Sequence, residues 1–173
     1  MKIATKTTVF EIVGTLLVAL LIFLGVHFTL ESRLTNGISM LPNLEHGQRV
    51  LVCKSAYWFG EPQRGDVVVF HDSSRPSPID YIIHRIAGLP NEKVEIRNGL
   101  VYINDSMLEE PYIQGNSLNR PPEIVPHDSY LIVGDNRDSA SADIVPRNEI
   151  IGKAWLCYWP LSDWHLVSGY SYD

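Results

Sequence analysis

Three short segments of this 173-residue chain carry side chains that together could perform nucleophilic catalysis. Ser39 stands between Gly37 and Pro42, which suits a sharp turn that exposes the hydroxyl. His84 alternates with apolar residues in a predicted strand, and its imidazole could accept the serine proton. A polar run at residues 134–143 could supply the acid that holds the ring in the correct tautomer. These segments therefore fit Ser-His-acid chemistry.

Each segment also has an ordinary structural explanation. A serine beside glycine is often a turn residue, a strand histidine is often a core group, and Gly-Asp-Asn is common turn chemistry. Asp143 is the first choice for the acid behind His84, followed by Asp138 and then Asp135. Asp135 could instead pair with Arg137 or cap the loop.

The base and its partners leave further alternatives open. Ser141 could hydrogen-bond His84 or serve as an ordinary loop hydroxyl, and the sequence favours neither explanation. Lys54 and Lys93 are alternative bases, but a lysine pKa of about 10.4 must fall by about three for the amine to act near neutrality. An imidazole with a pKa of about 6.5 needs no such change. Both lysines flank predicted strands and are interpreted as solvated strand-end residues.

Residues 9–30 form the longest apolar segment and are predicted to cross a membrane. The core of this segment, residues 16–26, carries no charge. About 20 helical residues span a hydrocarbon layer of roughly 30 Å. The exit lacks the small residues of a signal-peptide cleavage site, so the segment is predicted to remain as an anchor.

The charges around this anchor predict its orientation. Lys2 and Lys6 precede it, whereas the charges that follow it nearly balance. The positive-inside rule then places residues 1–8 in the cytoplasm as a short tail. Residues 31–173 are predicted to form an extracytoplasmic domain at the cell membrane, with a single-pass anchor.

After the anchor, short apolar runs bounded by turn residues predict a mainly β domain. The predicted strands cover residues 49–53, 66–70, 81–86, 93–96, 100–103, 130–133 and 150–159. Asn98-Gly99 between two of them is a strong hairpin signal, because both turn positions require positive φ. Residues 114–128 contain three prolines and few apolar side chains, which predicts an irregular excursion from the sheet. The expected fold is a β-sheet or barrel domain behind one N-terminal transmembrane helix.

Composition argues against several classes of function. The net charge is −6 and no basic cluster occurs, so nucleic acid is not an expected partner. Cys53 and Cys157 lack metal-ligand spacing, and neither a metal nor another cofactor is expected. They could form one disulfide or remain two buried thiols, and the apolar runs around them favour the thiols.

Five motifs, in order, resemble the type I signal peptidase family. They are Ser-Met-x-Pro-x-Leu at 39–44, Arg-Gly-Asp-Val-Val-Val-Phe at 64–70, basic-Arg-x-x-Gly-Leu-Pro at 84–90 with Val-Glu-Ile at 94–96, Gly-Asp-Asn-Arg-Asp at 134–138 and Ile-Gly-Lys-Ala at 151–154. The resemblance extends from the anchor to about Trp155. It implies a β-sheet protease with a serine nucleophile that cleaves after small residues ending the signal peptides of exported preproteins.

The chain departs from this family pattern at three places. Bacterial members have Lys where His84 stands, whereas archaeal and endoplasmic-reticulum members have His paired with an Asp of the last polar motif. Some members have an oxyanion-hole Ser where Gly37 stands, which leaves the Ser39 N–H as the main donor. The last polar motif of the family usually continues with a Ser-x-Asp-Ser-Arg run, of which this chain keeps Ser-x-Asp at residues 141–143. The implied catalytic residues are Ser39, His84 and Asp143, with Ser141, Asp135, Asp138 and Arg137 in support.

Two other functions and one surface property are also considered. The chain could process a single specialised substrate, or it could be an inactive membrane-tethered module that binds exported peptides. An aromatic edge is predicted to rest on the lipid bilayer, since amphipathic rings favour the headgroup region. Its candidate members are Trp58, Phe59, Trp155, Trp159, Trp164, Tyr170 and Tyr172.

Overall fold

One long helix and two antiparallel sheets form the framework of the computed structural model, which describes residues 2–71, 81–167, 169, 170 and 172. Helix α1 covers Lys2–Thr29. Within it, Phe10–Thr29 has a mean hydropathy of 2.4 and is long and apolar enough to cross a membrane. Helix α1 thus ends at Thr29, and Leu30, the last residue of the predicted anchor at 9–30, pairs with Cys53 in the first strand.

Within the described residues, twelve strands follow the helix, which confirms the predicted mainly β fold class. They are β1 Leu30–Leu34, β2 Arg49–Cys53, β3 Val67–His71, β4 Tyr81–Gly88, β5 Lys93–Arg97, β6 Leu100–Ile103, β7 Ser106–Met107, β8 Arg120–Ile124, β9 Ser129–Val133, β10 Ala142–Pro146, β11 Ile150–Trp159 and β12 His165–Leu166. The larger sheet has the order β1-β2-β11-β3-β4-β9-β10, with β12 beside β11. The smaller sheet has the order β7-β6-β5-β8.

Strand β3 shows how the larger sheet is buried on both faces. Val67 and Val69 pack into one apolar cluster, whereas Val68 and Phe70 pack into another. Successive side chains of a strand point to opposite faces, so an uninterrupted apolar run fits a strand that is covered on both sides. This central position holds the neighbouring β4, which carries His84, in a fixed register with Val68 opposite His84.

The smaller sheet contains both a confirmed prediction and a wrong one. Asn98 and Gly99 have φ values of 49° and 78° and join β5 to β6 as predicted. The irregular structure predicted for residues 114–128 is wrong at Arg120–Ile124, which forms β8 against β5. Because β8 is an edge strand, its prolines remove few ladder hydrogen bonds.

The two cysteines are free and lie on neighbouring strands. Cys157 is buried opposite Val50, and burial raises the pKa of its thiol. Cys53 is only half-buried, opposite Lys153. The prediction of two thiols is confirmed, although burial is complete for Cys157 alone.

Candidate active site

The structure brings Ser39 and His84 together from segments 45 residues apart. His84 Nε2 lies 3.0 Å from Ser39 Oγ, within the range of a nucleophile and its base. The ring is buried with 3 % of its surface exposed, whereas Ser39 is half-exposed. A half-exposed hydroxyl backed by a buried imidazole can be reached by a substrate and deprotonated from behind.

The turn that carries Ser39 is anchored in the core on its far side. Met40 and Leu44 are buried, and the Leu44 N–H donates to the Met40 carbonyl at 2.9 Å. Gly37 adopts a φ of +91°, and its N–H donates to Nδ1 of His46 at 3.1 Å. Within the described part of the chain, the Ser39 N–H donates to no protein acceptor. That N–H is therefore available as a donor to an oxyanion.

The polar loop after β9 holds the turn that carries Ser39 by one backbone and one side-chain hydrogen bond. The Asn136 N–H donates to the Ser39 carbonyl at 2.8 Å, and Asn136 Nδ2 donates to the Ile38 carbonyl at 3.0 Å. A Cβ atom on Gly134 would lie 2.6 Å from the Ser39 carbonyl oxygen and 3.1 Å from His84 Nε2. Only glycine lets the loop pass so close to the Ser39 backbone and the His84 ring.

Asp135 forms a buried ion pair with Arg85, the residue after His84. Arg85 Nε lies 2.9 Å from Asp135 Oδ1, and Nη2 lies 2.8 Å from Oδ2. Burial by itself lowers the pKa of the Arg85 guanidinium, but the hydrogen bonds and charge of Asp135 outweigh burial and raise that pKa above its ordinary value. Asn43 Nδ2 also donates to Asp135 Oδ2 at 2.8 Å. Asp135 thus connects β4 to the turn that carries Ser39, and it does not pair with Arg137.

Arg137 and Asp138 stabilise the polar loop itself. Arg137 Nη2 lies 2.7 Å from Glu110 Oε1, with both side chains buried, and Arg137 Nε donates to the Gly134 carbonyl at 3.0 Å. Asp138 Oδ1 accepts from Ser117 Oγ at 2.7 Å and from two backbone N–H groups. The Ser117 hydroxyl and the N–H groups of residues 116 and 117 lower the pKa of Asp138.

Asp143 lies beside Ser141 in the second part of the polar loop. Ser141 Oγ donates to Asp143 Oδ2 at 2.5 Å, and Ser141 lines the groove that also contains His84. No hydrogen bond joins the Asp143 carboxylate to the His84 ring among the described residues. Asp143 belongs to β10, opposite Ile132, so a strand extends into the predicted polar loop. The predicted orienting role of Asp143 stays a prediction.

A groove of about 350 Å³ gives access to Ser39 and His84. Its lining comprises Thr35, Asn36, Gly37, Ile38, Ser39, Met40, Tyr81, Ile82, Ile83, His84, Ser139 and Ser141. Strand β9 pairs with β4 only from Arg85 onward, so the first half of β4 lies along the groove. An extended peptide could therefore lie beside β4 with its backbone next to Ser39.

Sequence reasoning missed Asn136, Arg85 and Glu110 as parts of the site. The first two stand inside quoted motifs, and a charged Arg85 in an apolar strand requires a buried partner. The alternative bases lie elsewhere: Lys54 Nζ is 3.8 Å from Glu31, and Lys93 Nζ is 2.6 Å from Asp105.

The predicted aromatic edge divides into two groups. Trp58 and Phe59 are 59 % and 99 % exposed, and Trp159 and Trp164 are also more than half exposed. Trp155 is less exposed, at 37 %. Tyr170 and Tyr172 do not share this edge, because they are half-buried in a cluster with Tyr112.

A mainly β domain behind an apolar helix, with Ser39 and His84 in a groove along a strand, has the architecture of a tethered peptidase. Residues 8–159 match the family described as "Signal peptidase, peptidase S26", and the chain belongs to this family.

Two named signal peptidases agree with this assignment. The chain is 40 % identical over 163 residues to signal peptidase I of Leptolyngbya laminosa, covering 88 % of this chain and 80 % of the relative. It is 35 % identical over 165 residues to a probable signal peptidase I-2 of Synechocystis sp., covering 90 % and 76 %. A crystal structure of a signal peptidase I from Enterococcus faecalis V583 is 27 % identical, with a TM-score of 0.41, covering 54 % of this chain and 96 % of that chain.

Proposed function

We propose that this chain is a membrane-bound serine endopeptidase that removes N-terminal signal peptides from exported proteins. Membership of the signal peptidase family supports the substrate class. The observation that carries the serine mechanism is the 3.0 Å contact between His84 Nε2 and Ser39 Oγ inside a groove. No observation on the described residues favours a single-substrate enzyme or an inactive module.

The reaction proceeds through an acyl-enzyme. Ser39 Oγ attacks the scissile carbonyl while His84 Nε2 accepts its proton, and the Ser39 N–H donates to the resulting oxyanion. The tetrahedral intermediate expels the amine of the mature protein, which takes the proton from the imidazolium. Water, deprotonated by the same imidazole, then attacks the ester, and Ser39 recovers its proton as the signal peptide leaves.

Histidine in place of the bacterial lysine changes what the site must provide. A buried lysine would have to be desolvated to be neutral, whereas an imidazole is neutral near pH 7 but needs a fixed tautomer. Asp143 is the proposed orienting acid, acting beside Ser141, to which it is hydrogen-bonded at 2.5 Å. This arrangement resembles the archaeal and endoplasmic-reticulum form in a chain whose other motifs are bacterial.

The anchor and the aromatic edge support a location at the bilayer surface. Helix α1 contacts β1 and the short helix Lys54–Tyr57, which leads directly into the exposed Trp58 and Phe59. We assign residues 1–8 to the cytoplasm, residues 9–30 to the anchor and residues 31–173 to the outer side. Protease added to spheroplasts should reach residues 114–128, and protection of that segment would contradict this orientation.

Cleavage of a precursor panel by the purified full-length chain tests the proposed activity. Ser39→Ala and His84→Ala should both abolish cleavage while the melting temperature stays near that of the wild type. Ser106→Ala is the matched control, since Ser106 is exposed on the smaller sheet, and it should cleave at the wild-type rate. Cleavage by Ser39→Ala at the wild-type rate would refute the nucleophile.

The pH dependence of the rate tests the base. Activity should rise with pH through one ionisation, because His84 works only in its neutral form. His84→Lys should recover part of the activity with its rise at higher pH. His46 also contacts the nucleophile turn, so His46→Gln serves as the control and should keep the wild-type midpoint. An unchanged profile in His84→Lys would show that another group titrates.

A further inference from the structure

Three tyrosines from distant parts of the chain form one cluster behind the active site. The ring centres of Tyr112 and Tyr170 are 5.6 Å apart, and those of Tyr170 and Tyr172 are 4.8 Å apart. The hydroxyl oxygens of Tyr112 and Tyr172 are hydrogen-bonded at 2.5 Å. Tyr170 and Tyr172, which follow β12, thus pack on the domain, where aromatic contacts and a hydrogen bond attach them.

The tyrosine cluster (Tyr112, Tyr170 and Tyr172) covers the buried ion pair. The Arg85 guanidinium lies 4.0 Å from the centre of the Tyr112 ring, a cation–π contact. The Tyr112 carbonyl also accepts from Asn43 Nδ2 at 2.9 Å, and the same amide nitrogen donates to Asp135.

The backbone at Tyr170 packs on Gly65, a residue that binds the Arg85 guanidinium. A Cβ atom on Gly65 would lie 2.0 Å from the Tyr170 carbonyl oxygen, and Gly65 has a φ of +89°. The Gly65 carbonyl accepts from Arg85 Nη1 at 2.9 Å. The Tyr170 backbone therefore packs directly on Gly65, which accepts a hydrogen bond from Arg85.

The ion pair is connected to both catalytic side chains. Arg85 follows His84 in β4, and Asp135 precedes Asn136, whose N–H holds the Ser39 carbonyl at 2.8 Å. A displacement of the Arg85–Asp135 pair would move the base and the nucleophile turn relative to each other.

We propose that Tyr170 and Tyr172 form a positioning strap, which holds the Arg85–Asp135 pair and thereby keeps Ser39 within reach of His84. The strap touches no substrate and acts through the ion pair. This inference rests on the proposed function for its kinetic test, but its structural test does not need activity.

The effect of the strap on kcat should be the same at every pH in the range over which the base loses its proton. Burial, before any other cause, raises the pKa of Tyr172 to about 12 and also raises the pKa of Tyr112. Both phenols therefore stay neutral, and their hydrogen bond persists. Strap variants should lower the height of the pH–rate profile without moving its midpoint.

The kinetic test compares strap variants of the full-length chain in detergent micelles. The double variant Tyr170→Ala/Tyr172→Ala should lower kcat about tenfold with KM within about twofold, since a misplacement of about 1 Å can cost up to about 10²-fold. Tyr172→Phe, which keeps the ring, should lower kcat less and keep the fold. Tyr158→Phe is the matched control, because it removes a comparable hydroxyl contact with Ser32 Oγ (2.6 Å) on the larger sheet. Equal kcat in the wild type and the double variant would overturn the strap.

Epistasis and amide exchange separate positioning from general stability. In an Arg85→Lys background, which lacks the bidentate fork, Tyr172→Phe should lower kcat no further, and a fully additive loss would overturn the proposal. Exchange at the Asn136 amide should accelerate in both strap variants but not in Tyr158→Phe, and unchanged exchange would likewise overturn it. If the wild type cleaves no precursor while this exchange still accelerates, the proposed function fails and the strap stands.

Discussion

The two halves of the polar loop at residues 134–143 differ in burial and in partners. Residues 134–137 are all buried, and their charged groups form ion pairs with distant strands or loops. Residues 138–143 are exposed or half-buried, and Asp138 and Asp143 accept hydrogen bonds from nearby hydroxyl groups.

This difference predicts that the first half stabilises the fold of the site, whereas the second half can take part in its chemistry. A buried charge that loses its partner retains its desolvation cost, so substitutions in the first half should damage the fold and the activity together. A partly solvated carboxylate can lose its charge at little structural cost. Substitutions in the second half should therefore change turnover, or change the stability only slightly.

The largest expected effect comes from Asp135→Ala. It leaves the Arg85 guanidinium buried at 4 % exposure without its carboxylate, which should lower the free energy of unfolding by about 3–5 kcal/mol and abolish cleavage. Urea denaturation measures the change. Asp105→Ala, which removes an exposed partner of Lys93, should cost less than about 1 kcal/mol. Equal losses in the two variants would contradict the distinction between the halves.

Asp143→Asn should lower turnover without changing the fold. If the carboxylate fixes the imidazole tautomer, the substitution should lower kcat at least on the order of 10²-fold, less than the roughly 10⁴-fold loss in a serine protease triad, because Asp143 is half-exposed. KM and the melting temperature should stay near the wild-type values. Full activity would transfer the orienting role to Asp138 or Asp135.

Asn136→Ala should give an intermediate effect. It removes the side-chain bond to the Ile38 carbonyl but keeps the backbone bond to the Ser39 carbonyl, so kcat should fall by about tenfold. The free energy of unfolding should fall by about 1 kcal/mol, as for one buried hydrogen bond. A kinetic loss as large as that of Ser39→Ala would instead place the Asn136 amide in the reaction itself.

Asp138→Asn should have the smallest effect, with kcat within about twofold of the wild type. The lowered pKa of Asp138 means that its carboxylate contributes stability above the unfolded pKa of about 3.9, and this contribution is lost as pH falls through the folded value. The stability difference between wild type and variant should therefore shrink below about pH 4. A difference that persists unchanged into acid would contradict this assignment.

Local sequence signals predicted the elements whose structure depends on nearby residues. The apolar helix can be predicted because a membrane-spanning segment must be continuous. The turn at Asn98-Gly99 can be predicted because its geometry depends only on these two residues. Strand β2 was predicted with its observed bounds, and β11 likewise. The order of five motifs also brought Ser39, His84 and the polar loop into consideration before any distance was known.

Only the tertiary structure decided which groups meet. The sequence offered Asp135 a neighbour in Arg137, yet Asp135 pairs with Arg85, 50 residues away, because β4 and β9 lie side by side. Edge strand β8 and the tyrosine cluster likewise depend on partners distant in the chain. Sequence fixes the types and order of charged and polar groups, but a buried charge is stabilised by whichever partner the sheet topology brings within a few ångströms.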